Sequence, residues 1–472
     1  MTPETGPGRP APGRRRTVTT MKFGARTDPF GSRRTMIVFT LAAGVAAVGI
    51  GLVGGAFRWC LERAGELRGE LLVWAHTLGP AGAIVPVSFV AACALIGRIF
   101  ARITPRASGS GIQDVEAVWH EEEELPGPAV LPARFLGGVI AIGSGMVMGR
   151  EGPTVHLGAT IGADIGRWFR LSDYERKLLY TTVGGAGLAV AFNAPIGGAL
   201  FTIEEVTRSF RVRVVLITLV TTSVAVGVSR YLVPGGAIFT VPPIATPGFV
   251  GLWPYLLFGL LTAPLGVAYN ALTMGLLRHT DRMHVRATIR ATLIGAIIGA
   301  VLWFDPLMVG GGESLTQLQL AGHPFALLTL LALLAVRFLL GPLSYATGAP
   351  GGLFAPLLAI GALWGAVFHD MLVAIGGPAA VALLGASPVP FALVGMVAFF
   401  TATVRAPLTG IVLIVEMTAT TTLITEMFIA TAGALFVAAL LNAPPIYDSL
   451  RDRMLARRGS HGPVAGAKQS SR

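Results

Sequence analysis

Two stretches decide the reading of this chain: Gly149-Arg-Glu-Gly-Pro153, followed by Gly158 and Gly162, and Gly352-Leu-Phe-Ala-Pro356, followed by Gly361 and Gly365. They align at a constant offset of 203 residues. Further along, NAPIGGALFTIEE (193–205) aligns with RAPLTGIVLIVEM (405–417) at an offset of 212, sharing Ala-Pro, a Gly three residues on and a Glu near the end. Two blocks in the same order at nearly the same offset mark an internal duplication. The chain divides into a tail (1–34), a first repeat (35–235), a second repeat (236–447) and a second tail (448–472). An odd number of membrane crossings in each half would invert one repeat relative to the other.

The solvent for these repeats is lipid. Of 472 residues, 53% are hydrophobic and 13% charged, against roughly 25% charged in a soluble domain, and the mean hydropathy is +0.69. Residues 36–57 and 79–97 are uncharged runs near the ~20 residues that cross a bilayer. Other apolar segments are short (135–149, 154–163), cut by Gly184, Gly185, Gly187 and Pro195 (181–203), or long and interrupted (235–277, 338–369). Such pieces read as half-helices and re-entrant segments, tolerated at membrane depth only inside protein or along a wet cavity. The 61 glycines fit close helix packing in lipid.

The net charge of +11 sits in the tails: residues 1–34 carry eight basic and two acidic side chains, and 448–472 carry six and two. That asymmetry places both termini on the cytoplasmic side, where the tails can lie on anionic lipid. It does not form the basic, aromatic-interleaved face of a nucleic-acid binder. Only three of the 36 basic residues are lysines, which suggests a GC-rich bacterial source. Cys60 and Cys93 lack metal or redox spacing and read as free and buried; His120 and His156 have no ligand partner at metal spacing. The acidic run Glu121–Glu124 reads as a solvated loop. No cleaved signal peptide is evident; no P-loop or nucleophile elbow is present, which argues against an ATP-driven pump, and no base or metal ligand is spaced to make an intramembrane enzyme of Glu151 or Ser110.

The chemistry lies in three Gly-rich blocks, Gly109-Ser-Gly-Ile-Gln113 and the two aligned ones. A lone block could be a helix kink or packing point. Three together suit an anion: helix N-termini offer unpaired N–H groups and about half a positive charge, enough to bind without trapping. Glycines allow close backbone approach, and proline in a first turn removes no needed hydrogen bond. Glu151 is an ionisable group at a predicted helix start within an apolar stretch. Its carboxylate competes with an anion for the same N–H groups, and protonation releases it; the alternative is an ion pair, although Arg150 points elsewhere on a helix. Glu204 matches Glu416 and so serves architecture common to both halves. Glu205 matches Met417, so symmetry does not account for it; it is either a functional acid or a salt-bridge partner of Arg208 or Arg211.

With GREGPTVHLGA, AFNAP, GGGES (310–314), TGAPGGLFAP, RAPLTGIVLIVEMT and PPIY added, the chain resembles the CLC family of chloride channels and proton-coupled chloride transporters over nearly its whole body. The resemblance implies an all-α polytopic membrane protein with two inverted-topology repeats and re-entrant half-helices, assembled as a homodimer with one pore per subunit. It implies selectivity-filter motifs at Gly109, Ser110, Gly111, Ile112 and Gln113, at Gly149, Arg150, Glu151, Gly152 and Pro153, and at Gly352, Leu353, Phe354, Ala355 and Pro356. Chloride is then held by Ser110, the amides of Leu353 and Phe354, and Tyr447. Glu151 becomes gate and proton carrier, and Glu205 the internal proton acceptor. Without the resemblance Ser110 fits a helix cap and Tyr447 an interfacial aromatic belt. Gln113 departs from the proline of many members and leaves the packing of that helix end open. The short stretch after Tyr447 implies that the cytoplasmic CBS pair of many members is absent. The expectation is a proton/chloride antiporter, not an enzyme, in a bacterial plasma (inner) membrane, with chloride, protons and lipid as partners and no cofactor or metal. A passive voltage- or pH-gated chloride channel and a fluoride/proton antiporter are the alternatives.

Overall fold

The computed structural model describes residues 33–459 apart from 245 and 247. Most of the predicted N-terminal tail, and the chain beyond 459, lie outside the described residues. The first half supplies α1 (Arg33–Thr77), α2 (Ile84–Ile103), α3 (Ile112–Trp119), α4 (Val130–Gly143), α5 (Glu151–Trp168), α6 (Asp173–Phe192), α7 (Pro195–Phe201) and α8 (Val212–Ser229). The second supplies α9 (Trp253–Arg282), α10 (Ala287–Phe304), α11 (Glu313–Leu320), α12 (Leu327–Tyr345), α13 (Phe354–Leu384), α14 (Val389–Val404), α15 (Pro407–Thr418) and α16 (Ile424–Leu440). A final helix, α17 (Ile446–Gly459), follows. Among the described residues, seven helices are long and apolar enough to cross a membrane, and no strand is formed beyond two isolated bridges.

The duplication is visible helix by helix. The starts of α5 and α13 are 203 residues apart, those of α7 and α15 and of α8 and α16 are 212 apart, and those of α3 and α11 are 201 apart. The glycines that flagged the repeat are where helices meet backbone to backbone. A Cβ at Gly158 or Gly162 would strike the carbonyls of Val183 and Leu179 on α6, and one at Gly361 or Gly365 those of Gly395 and Phe391 on α14. The α5/α6 and α13/α14 pairs are therefore the buried centre, while α1, α2, α8, α9 and α10 keep Leu, Ile, Val and Phe side chains exposed on their outer faces, as a lipid-facing surface requires.

The sequence underestimated two elements. Helix α1 continues well past the apolar run to Thr77, because Arg58–Glu62 (3.1 Å) and Arg63–Glu66 (2.6 Å) pair along it at helical spacing. Residues 446–459, mostly assigned to the second tail, form α17, pinned by Arg451 to Glu122 (3.4 Å), by Arg453 to Asp281 (2.7 Å) and by Arg458 to Glu123. The Glu121–Glu124 run is thus an anchor for α17 rather than a free solvated loop. Cys60 and Cys93 are free, as expected, but half-buried rather than buried.

Candidate ion pathway

The three Gly-rich blocks meet. Gly149 and Gly352 exchange N–H···O bonds at 2.8 Å in both directions, while Gly109 donates to Ala349 O and accepts from Gly351 N, each at 3.2 Å. Gly109 (φ +64°) and Gly111 (φ +90°) take left-handed backbone on either side of Ser110, turning the chain into α3. Gly152 lies directly against Ser110: a Cβ there would collide with Ser110 Oγ and come 2.8 Å from its carbonyl. The N-termini of α3, α5 and α13 are thereby brought to one buried place.

Behind Ser110 stands an arginine that the sequence reading missed. Arg134 is fully buried and donates to Gly109 O, to Ser110 O at 3.2 Å and to Arg106 O at 2.9 Å. Its counterpart 203 residues on, Arg337, is also fully buried and donates to the carbonyls of Leu307 (2.8 Å), Val309 (2.9 Å) and Gly310 (2.8 Å). Gly310 (φ +69°) and Gly312 (φ +99°) repeat the Gly109/Gly111 turn at the start of α11, so each half staples its Gly-x-Gly turn with one buried guanidinium. Each arginine is the lone charge in a long apolar run, a legible signal. In the first half the staple extends further. Arg134 meets His156 Nδ1 (2.8 Å), His156 Nε2 meets Asp114 (3.1 Å), and Asp114 also accepts from Tyr180 (2.9 Å) and Arg106 (2.7 Å). His156 therefore does have polar partners, both distant in sequence.

The predicted anion ligands present unpartnered donors. Ser110 Oγ and Tyr447 Oη are buried with no hydrogen-bond partner, and the N–H groups of Leu353 and Phe354 have no backbone acceptor. Ser110 is not a helix cap: Gly111 occupies that position, and no side-chain cap bond is made. Tyr447 is fully buried, not interfacial, with Glu151, Glu205, Glu116 and Tyr345 as electrostatic neighbours. Tyr345, also missed in the sequence, accepts the Ser110 N–H at 3.2 Å. Phe354 packs on Phe400 and Phe192 with ring centroids 4.4 and 5.0 Å apart, holding the start of α13 in place. Gln113 lies in the first turn of α3, which forms despite the missing proline.

Glu151 is fully buried at the first position of α5; its Oε2 accepts the Ala355 N–H at 3.3 Å and its Oε1 has no partner. Arg150 pairs not with it but with Glu313 on α11, at 3.2 Å. The two-residue distinction at 204–205 is equally clear. Glu204 caps α15, accepting Leu408 N (3.1 Å) and Thr409 N (2.7 Å), and Glu416 reciprocally caps α7, accepting Ile196 N (3.1 Å) and Gly197 N (2.7 Å). Glu205, in a π-helical turn spanning Thr202–Val206, has an unpartnered Oε1, and Arg208 pairs instead with Asp448 at 2.8 Å. Beside it the structure adds Glu116, buried with neither oxygen hydrogen-bonded and Arg451 at 3.7 Å.

Converging helix N-termini, unpartnered buried donors and an unpaired carboxylate among them, all inside a duplicated helical membrane fold, define an ion-transport protein. The family model described as Voltage gated chloride channel matches residues 89–439, and the chain belongs to that family. It is 36% identical over 446 residues to the H(+)/Cl(-) exchange transporter ClcA of Vibrio campbellii, covering 90% of this chain and 91% of that one. Against ClcA of Yersinia pseudotuberculosis it is 35% identical over 442 residues, covering 90% and 89%. Among solved structures it is similar to a slow cyanobacterial Cl-/H+ antiporter (29% identity, TM-score 0.83, covering 89% of this chain and 99% of that one). A CLC-type fluoride/proton antiporter shares the fold, with a TM-score of 0.72 at 21% identity over 89% of this chain and 98% of the other.

Proposed function

We propose that this protein exchanges protons for chloride across a bacterial inner membrane, with both termini cytoplasmic and each subunit of a homodimer holding its own pathway. The observation that carries the reading is the set of donors with no acceptor around Glu151: Ser110 Oγ, Tyr447 Oη and the amides of Leu353 and Phe354. Buried donors without acceptors are rare and destabilising by about 1–3 kcal/mol each; a transported anion satisfies them, and partial charges let it leave again. In the conformation described, the Glu151 carboxylate occupies the neighbouring amide of Ala355. Protonation weakens that bond and removes the charge that repels chloride, so one carboxyl group couples the two ions. Glu205 supplies the proton from the cytoplasmic side, and Glu116 beside it raises the local cost of a second negative charge. Kinship with exchange transporters supports exchange over a passive channel, and serine at position 110 supports chloride over fluoride.

Purified protein in liposomes tests this. An outward chloride gradient is expected to drive protons inward against their own gradient, and the proton flux should vanish when chloride is replaced by an impermeant anion. Chloride flux without proton movement would leave the channel reading.

A further inference from the structure

On the side of the molecule where α17 packs, a vestibule of about 1540 Å³ opens, with Gly109, Gly111, Gln113 and Tyr345 in its wall, so that it reaches the Ser110 turn. Seven arginines line it: Arg98 and Arg102 from α2, Arg106, Arg290 from α10, and Arg453, Arg457 and Arg458 from α17. The facing carboxylates are Asp114, Glu123, Glu124 and Asp281. Of these, Asp114 is held by Arg106 (2.7 Å), Asp281 by Arg453 (2.7 Å) and Arg457 (3.3 Å), and Glu123 by Arg458. Among the described residues, Arg98, Arg102 and Arg290 have no carboxylate within ion-pair distance, although Asp281, already held by Arg453 and Arg457, also attracts Arg290. Arg290 donates only to the Thr280 carbonyl (3.0 Å), leaving its Nε buried without a partner.

A cavity of that size exceeds the roughly 300–1,000 Å³ of ordinary small-molecule sites and far exceeds what one chloride needs. Arginines left over after every ion pair has formed could reflect the cytoplasmic bias of basic residues alone. That bias, however, places charge at the lipid headgroups, whereas Arg98 and Arg290 wall a cavity, with Arg98 beside the Gly348 turn that Ser108 clasps at 2.8 Å. Planar guanidiniums arrayed around one space match the oxygens of phosphate groups bidentately. We infer that the vestibule binds an anion bearing several phosphate groups, held by Arg98, Arg102 and Arg290, and that the bound anion blocks access to Ser110 from this side. The binding claim stands on the cavity; the block rests on the transport reading above.

Inorganic tripolyphosphate is the probe. Calorimetry on the detergent-solubilised protein is expected to show saturable binding that exceeds binding of orthophosphate and is weakened at least about tenfold in Arg98→Gln/Arg290→Gln, with the exposed Arg102→Gln weakening it less. In vesicles of neutral lipid with random insertion, external tripolyphosphate should stop about half of the chloride flux, scored against each variant's own uninhibited flux, and sulfate at matched ionic strength should not. Vesicles containing cardiolipin, whose headgroup carries two phosphate groups, separate the sources, with phosphatidylglycerol at equal surface charge as the control. A tripolyphosphate effect that disappears only with cardiolipin assigns the phosphates to a lipid headgroup, one that persists assigns them to a soluble anion, and both uphold the site; an effect that phosphatidylglycerol abolishes equally means that one phosphate suffices and overturns it. Absent or unsaturable binding, equal binding by the double variant, or inhibition equalled by sulfate overturns it. Flux missing before any probe is added would instead count against the transport reading, with calorimetry still deciding the site.

Discussion

Adjacent glutamates with opposite environments offer the sharpest test. Glu204 accepts two N–H groups from the first turn of α15 and the Thr409 hydroxyl at 2.7 Å; Glu205 is buried with Oε1 unpartnered. Replacing Glu204 by Gln leaves one oxygen for two N–H donors and removes a charge from a helix N-terminus. One lost charge-assisted bond is about 1.5–3 kcal/mol, and the helix-dipole contribution adds about 0.3–1. Since the group is partly exposed, we expect the lower part of that range, about 2–3 kcal/mol, seen as a melting temperature lower by a few degrees, with proton coupling retained. Glu205→Gln removes no hydrogen bond and relieves a buried charge, so stability should change by under about 1 kcal/mol or rise, while chloride flux continues and uphill proton movement stops. Thermal unfolding in detergent and paired chloride and proton flux in liposomes measure both. Coupling lost in Glu204→Gln at unchanged stability, or retained in Glu205→Gln, would refute the reasoning.

Three further outcomes follow from the same geometry. Glu151→Gln should conduct chloride without protons and with a flux flat across pH, because the only group argued to leave the Ala355 amide on protonation can no longer titrate; chloride efflux measured from acidic to neutral pH checks it. Gly152→Ala places a methyl on Ser110 Oγ, so chloride flux should fall by at least about tenfold while detergent-purified protein elutes as the parent does. Gln113→Pro keeps the backbone, because the Gln113 N–H lies in the first turn of α3 and makes no backbone hydrogen bond, and loses only the side-chain hydrogen bond to Tyr345, so stability should fall by no more than about 1–2 kcal/mol with flux retained; an inactive variant would show that this bond is needed to hold the Ser110 turn.

The duplication and the different environments of Glu204 and Glu205 were legible because they depend on aligning the chain with itself, and the three Gly-rich blocks because each has the make-up of a helix start. What escaped depends on contacts between distant positions. His156 lies 42 residues from Asp114 and 22 from Arg134, spacings that follow no helical or metal-ligand rule. Tyr345 accepts from a backbone amide 235 residues away, and nothing in its own apolar surroundings announces it. Glu116 was readable as a carboxylate close to the Ser110 turn, but its burial without a hydrogen bond, with only Arg451 of α17 at 3.7 Å, appears only once α17 is seen to fold over it. The α11 turn matches the α3 turn only weakly in sequence, since at an offset of 201 the two turn glycines and the Pro105/Pro306 pair before them are shared, while nothing in α3 matches α11.

Internal symmetry then separates scaffold from chemistry. The halves share Arg134 with Arg337, the Gly109/Gly111 turn with Gly310/Gly312, and Glu204 with Glu416, and in each case the partners make equivalent bonds. They differ at Ser110 against Gly311, Glu151 against Phe354, His156 against Ala359 and Glu205 against Met417, and Ser110, Glu151 and Glu205, the side chains within the matched segments assigned to ions or protons, fall in that second set, while Tyr447 stands on α17 beyond them. Substituting both staples tests the distinction. Each guanidinium is buried and holds three carbonyls, and an unsatisfied buried acceptor costs about 1–3 kcal/mol, so Arg134→Met and Arg337→Met should each destabilise by at least about 3 kcal/mol, with lysine restoring part of the loss. Only the Arg134 turn carries a side chain toward the anion, so Arg134→Lys should shift the ratio of chloride to nitrate flux while Arg337→Lys leaves it unchanged. A selectivity shift confined to Arg337→Lys would mean that the second turn lines the pathway and that symmetry does not sort the two roles.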